Sequence, residues 1–188
     1  MTIDNPELTR NLWLQLSPTR LAAAPAVLGC VFWLAWVGPG LSGWNNVAWT
    51  AQVLFFLIAM LWGTRRAADT LAEEIAGATW NSQRMSALGA WQLTWGKFLG
   101  GTAYVWYAAA ICLAVLAVAR AAAGAGIDAH DLARDLLAAV LAQSVALLAA
   151  LVLLAKGRLT RRLDVTFAQL AGLIVALIIA PMLIAPSD

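Results

Sequence analysis

Five apolar runs, Leu21–Val37, Trp44–Trp62, Phe98–Ala119, Leu136–Ala155 and Val165–Ala185, take up more than half of this chain. A helix that crosses a bilayer needs about 20 residues, within a range of about 17–25, and every run falls in that range. Lipid offers no water to backbone N–H and C=O groups, so each run has to close its hydrogen bonds as a helix. The expected fold is an all-α integral membrane protein, a single transmembrane domain over residues 1–188.

The remaining composition agrees. Of the 188 residues, 62% are hydrophobic and 12% charged, with mean hydropathy +0.78. A soluble domain is about 25% charged, so there is too little polar surface here to cover a water-facing globule. The net charge of +2 points to no nucleic-acid partner. No internal repeat, low-complexity linker or cleaved signal peptide is expected. Cys30 and Cys112 both fall inside apolar runs and read as core-facing thiols.

The charges between the runs set an orientation. Arg10, Arg20, Arg65, Arg66, Arg84, Lys97, Lys156, Arg158, Arg161 and Arg162 fall on one side, and Arg120 and Arg134 on the other. By the positive-inside rule the N-terminus is cytoplasmic. After five spans the C-terminus is extracytoplasmic, which for such a protein implies the inner (cytoplasmic) membrane. Trp36, Trp44 and Trp49 then mark the outer interface, and Trp62, Trp91 and Trp95 the inner one.

Two stretches outside the runs are organised. Near the N-terminus, Asn5, Pro6 and Glu7 read as a helix cap, a first-turn proline and a dipole-favoured acid. Leu8, Leu12, Trp13 and Leu16 recur on one helical face, with Asn11 and Gln15 away from it, and Ser17-Pro18 ends the segment. Residues 5–17 thus predict an amphipathic helix lying in the membrane interface. The second stretch is 64–97. Arg65 and Asp69 can pair across one turn, so the second span is expected to run on to about Ile75, where Gly77 breaks it. Thr79 can cap a short helix over Trp80–Leu88, with Gly89 ending it and Trp91 starting the return to the membrane.

These segments, NPELTRNLWLQLSPTRL, AEEIAGATW and QRMSALGAWQLTWGKFLG, resemble the permease subunit of ABC-2-type transporters over roughly residues 5–105. The family opens with an interfacial elbow helix. It joins spans two and three by a cytoplasmic coupling segment: an acid, Gly-Thr, a short helix and a Gly-Lys-Leu-like entry. Glu73 and Glu74 match the acid, Gly77-Ala78-Thr79 an expanded Gly-Thr, and Gly96-Lys97-Phe98-Leu99 the closing element. The resemblance implies alternating access driven by a separate cytoplasmic ABC ATPase subunit. Glu73, Glu74, Gly77, Thr79, Trp80, Arg84, Met85 and Leu88 would form the coupling surface. ATP and magnesium would sit on that partner, with no cofactor on this chain. A second permease copy, or a related permease, would complete the assembly. The family core usually has six spans, against the five counted here. The alternative is a non-transporting membrane scaffold or accessory subunit with an ABC-2-like fold.

No enzyme site is visible. Six residues separate Gly89 from Gly96, and Phe98 follows Lys97, so the spacing and the Ser or Thr of a phosphate loop are missing. His130 sits with Asp128, Asp131 and Asp135, which reads as a solvated helix start in preference to a metal site. Within the spans, Gln52, Gln143, Ser144 and Gln169 line a substrate route or hydrogen-bond between helices. Glycines four apart, Gly96 and Gly100, suit close helix packing in lipid.

Overall fold

The computed structural model describes residues 6–38, 43–76, 89–126, 129–156 and 162–182. Among them every regular element is helical. The helices are α1 (Pro6–Gln15), α2 (Pro18–Val37), α3 (Gly43–Phe55), a π-helical segment (Phe56–Trp62), α4 (Gly63–Ala76), α5 (Ala90–Gly101), α6 (Ala103–Ala122), α7 (Ala129–Ala155) and α8 (Arg162–Met182).

Four of these stretches are long and apolar enough to cross a membrane: Pro18–Val37, Gly43–Glu73, Ala103–Ala122 and Ala129–Ala155. In α8 the apolar stretch Asp164–Ile179 is shorter than that. The chain is therefore a multi-pass helical membrane protein with four candidate spans among the described residues. The third apolar run is shifted from its sequence bounds. Helix α5 stops at Gly101, and α6 begins only at Ala103. Two successive glycines hold the helix weakly there, and the Thr102 hydroxyl donates to the Phe98 carbonyl, one turn back. At the far end α6 stops where Gly124 and Gly126 adopt positive φ, open to glycine at no steric cost.

Small residues set the packing, as expected where lipid removes any hydrophobic drive between helices. Helix α7 buries Ala138, Ala142, Ala146 and Ala150, spaced by four. Facing it, α8 presents Ala168, Gly172 and Ala176 at the same spacing, and this pair makes the most extensive helix–helix interface among the described residues. A Cβ on Gly172 would strike the Ala142 carbonyl, so the two backbones touch there. Helix α3 lies similarly along α6.

The apolar core is divided in two. One cluster includes Leu28, Phe55, Met60, Cys112, Ala142 and Ala176. The other includes Ala67, Leu71, Phe98, Leu147, Val165 and Ala168. Cys112 is buried as expected, but Cys30 is exposed on α2. An apolar residue on a spanning helix can face lipid as readily as core, so hydropathy alone does not assign its side.

Candidate functional site

Between the two cores lies a polar layer, and it is built around the π-helical turn. Its members follow from where each helix leaves one core and enters the other: Gly63 and Thr64 on α4, Thr102 below α6, Gln143 on α7 and Gln169 on α8. Widening a helix to the π form misaligns its carbonyls from the usual i→i−4 ladder, and such turns gather at functional positions. Here side chains take them up. Gln143 Nε2 donates to the Ala59 carbonyl at 2.8 Å. Gln169 Nε2 donates to the Leu61 carbonyl at 2.9 Å. The Thr64 hydroxyl donates to the Met60 carbonyl at 2.5 Å. Two helices, α7 and α8, thus hold the second span by its backbone.

Gln143 and Thr64 are fully buried. Gly63 makes room for the contact, because a Cβ there would run into Gln143 Nε2. The other amide atom, Gln143 Oε1, is buried with no hydrogen-bond partner among the described residues, as is Trp106 Nε1. An unpaired buried polar atom costs of order 1–3 kcal/mol, so this layer is less tightly satisfied than the cores on either side.

A second polar cluster closes the N-terminal end of α7, and it forms a ring. Gln52 Nε2 donates to Asp135 Oδ2 at 2.6 Å, and Arg120 Nη2 donates to Gln52 Oε1 at 3.4 Å. Arg120 pairs with Asp131 at 3.6 Å. Arg134 pairs with Asp131 at 3.3 Å and with Asp135 at 3.6 Å. Two arginines, two acids and one glutamine therefore join α3, α6 and α7 with no net charge. Asp135 is almost completely buried, its side chain 3% exposed. By sequence Arg120 and Arg134 are loop charges and Gln52 lines a route or bonds between helices; in the structure Gln52 bonds between helices. Asp131, Arg134 and Asp135 are close in sequence, but Gln52 and Arg120 come from other helices.

Of the four residues expected to line a substrate route or hydrogen-bond between helices, three make interhelical hydrogen bonds, at different places. Gln52 belongs to the ring, and Gln143 and Gln169 to the π turn. Ser144 donates back to the Val140 carbonyl on its own helix and lines a small cavity of about 240 Å³ with Trp91, Trp95 and Leu148. Among the described residues no group of three or more His, Cys, Asp and Glu side chains could hold a metal. Asp131 is engaged by two arginines; Asp128 lies outside the described residues.

On the other side of the polar layer, α4 carries the second span onward as a charged helix. Arg65 pairs with Asp69 at 3.3 Å, the expected one-turn partner, and also donates to the Thr166 hydroxyl on α8. Arg66 pairs with Glu73 at 3.0 Å. Glu73 is exposed, and Glu74 lies on the same helix. Gly77, Thr79, Trp80, Arg84, Met85 and Leu88 lie outside the described residues. Gly89 adopts an extended conformation, and its N–H is capped by the Gln92 side chain at the start of α5.

Helix α5 is held against α1. Asn11 Nδ2 donates to the Gly96 carbonyl at 3.4 Å, and a Cβ on Gly100 would come within 2.6 Å of the Asn11 Cβ. The Gly96–Gly100 spacing thus receives α1. In α1, Asn11 turns to protein, while Trp13 and Leu14 are exposed. Lys97 is buried instead of lying in an open loop.

No family model, curated protein or solved structure matches this chain.

Proposed function

We propose that the chain is the permease subunit of an ATP-driven ABC-2-type exporter, working by alternating access with a separate ATPase subunit. On this reading it has five spans, α8 being the fifth, and α1 is the elbow helix. The N-terminus is cytoplasmic, the C-terminus extracytoplasmic, and the membrane is the inner one. ATP and magnesium belong to the partner, and two permease copies complete the assembly.

One observation carries the reading. The helical path is unbroken from Gly43 to Glu73, 31 residues, which at 1.5 Å per residue is roughly 45 Å against a hydrocarbon core of about 30 Å. This rod passes the charged ring at Gln52 and then the π turn, and ends as a charged helix that precedes residues 77–88 in the sequence. A push on that end travels along a stiff element to the one turn where its backbone pairing is irregular.

The test is co-expression of the full chain with a candidate ABC ATPase subunit from the same organism. The expected result is a stable complex whose ATP hydrolysis rises with this chain and falls to the ATPase-alone rate with Trp80→Ala plus Arg84→Glu. Stimulation that survives both changes and removal of residues 80–88 overturns the coupling role and leaves the scaffold reading. Labelling of an Arg84→Cys variant by an impermeant thiol reagent from the extracytoplasmic side overturns the orientation as well.

A further inference from the structure

Three consecutive carbonyls of the π segment accept from side chains. Ala59 takes Gln143 Nε2, Met60 takes the Thr64 hydroxyl, and Leu61 takes Gln169 Nε2. In an α-helix the Ala59 carbonyl accepts from the backbone N–H four residues on, which is that of Gly63. Here the Gly63 N–H goes to the Ile58 carbonyl, five residues back, and to that of Met60, three back. The Gln143 amide therefore occupies the acceptor that the α register needs. It stands 2.4 Å from where a Cβ on Gly63 would be. Its grip is incomplete: Gln143 Oε1 is buried with no partner among the described residues, and an unpaired buried acceptor weighs against the state that buries it.

We propose that this turn is a two-state register switch in the second span, with Gln143 as its latch. In the latched state Gln143 holds Ala59 and the turn is wide. In the released state the amide leaves Ala59, the Gly63 N–H moves from Ile58 to Ala59, and the turn closes to α. Each N–H of the wide turn then moves one carbonyl along, so no backbone donor is left unpaired. A π turn holds an extra residue. Closing it turns the two halves of the span against each other by up to one residue's share of a turn, about 100°. Met60 and Leu61 line a groove of about 570 Å³ with Leu173 and Leu177, so the register sets the shape of that wall. The switch is independent of the exporter reading, because it belongs to the chain alone and requires neither an ATPase nor transport.

The sequence isolates both atoms of the switch for NMR. Ala59-Met60 is the single Ala-Met step in the chain, and Trp-Gly occurs only at Trp62-Gly63 and Trp95-Gly96. One sample of the full chain in lipid nanodiscs is isotope-labelled at Ala carbonyls and Met nitrogens, and a second at Trp carbonyls and Gly nitrogens. In the wild-type chain the Ala59 carbonyl and the Gly63 amide are expected to exchange at one common rate, on the microsecond-to-millisecond scale, with a minor state of about 0.1–10%. The Gly96 amide, on α5, should not exchange. Gln143→Met removes the donor and keeps the bulk, and Gln143→Ala removes both. In each variant the two resonances should move to the positions of the wild-type minor state, with at least about 90% of the chain released. An unmoved Gly96 resonance verifies that the variant is folded; if neither variant folds, the wild-type exchange alone decides. The absence of a common exchange at Ala59 and Gly63, or resonances of a folded variant anywhere other than at the minor-state positions, overturns the proposal.

Discussion

The side-chain amide of Gln143 lies 2.8 Å from the carbonyl of Ala59, eighty-four residues earlier in the chain, at the point where the second span widens into a π turn. Gly63 permits this contact, since any side chain there would occupy the place of the amide. The two residues are therefore coupled, and the coupling has a sign. Gly63→Ala should destabilise the wild-type chain by about 1–2 kcal/mol, the loss of one interhelical hydrogen bond plus strain. In a Gln143→Ala background the same change should be neutral or stabilising, because alanine is the better helix former. A double-mutant cycle on unfolding in detergent measures this. Equal costs in both backgrounds would mean that the glycine serves something other than Gln143.

The α7–α8 interface makes a sharper demand at Gly172. Its missing Cβ lets the Ala142 carbonyl approach, and backbone cannot rotate aside as a side chain can. Gly172→Ala is expected to cost about 1–3 kcal/mol, and Gly172→Leu to separate the pair. Gly29 has nothing within 4 Å, so Gly29→Ala serves as the control and should leave stability unchanged or raise it by up to about 1 kcal/mol. Thermal unfolding of the three variants in one detergent compares them directly.

Much of this architecture is legible in the sequence. Long apolar runs mark the spans because lipid permits little besides a helix. The i,i+4 spacing of Ala138, Ala142, Ala146 and Ala150 against Ala168, Gly172 and Ala176 could have been read as an interface from the same rule that singled out Gly96 and Gly100. The break at Thr102 was hidden because hydropathy continues through it, whereas two glycines and a hydroxyl that bonds its own helix decide the backbone. The polar layer was hidden for another reason. Gln143 and Ser144 are neighbours in sequence but point about 100° apart on a helix, so one grips the π turn and the other is exposed. The ring was the least legible, because its bonds join residues as far apart as Gln52 and Asp135.

That ring predicts an asymmetry between two changes at one residue. Asp135 is buried and held by Gln52 and Arg134. Asp135→Asn keeps an oxygen to accept from Gln52 and should cost about 1 kcal/mol. Asp135→Ala removes the acceptor and leaves Arg134 with Asp131 alone, and should cost about 3 kcal/mol, as breaking a buried pair does. Because Asp135 is shielded from water, its contribution should change little between low and high salt. Chemical unfolding at two ionic strengths separates this from an exposed pair such as Arg66–Glu73, whose contribution should fade as salt rises.

The last contact to test holds α1 in place. Asn11 rests on the Gly96 carbonyl and against the bare face of Gly100, while Trp13 and Leu14 face outward. An apolar outer face is what a helix needs if lipid headgroups, and not water, surround it. Gly100→Leu should lift α1 from α5 without disturbing the α7–α8 pair. The expected outcome is earlier proteolytic cleavage between residues 6 and 17, with the main unfolding transition little changed. Asn11→Gly, which removes the opposing Cβ, should partly restore protection in the Gly100→Ala variant despite the cost of about 1 kcal/mol that glycine brings to a helix. If Gly100→Leu leaves the N-terminal segment as resistant as wild type, α1 is anchored by its outward tryptophan in the bilayer instead of by its seat on α5.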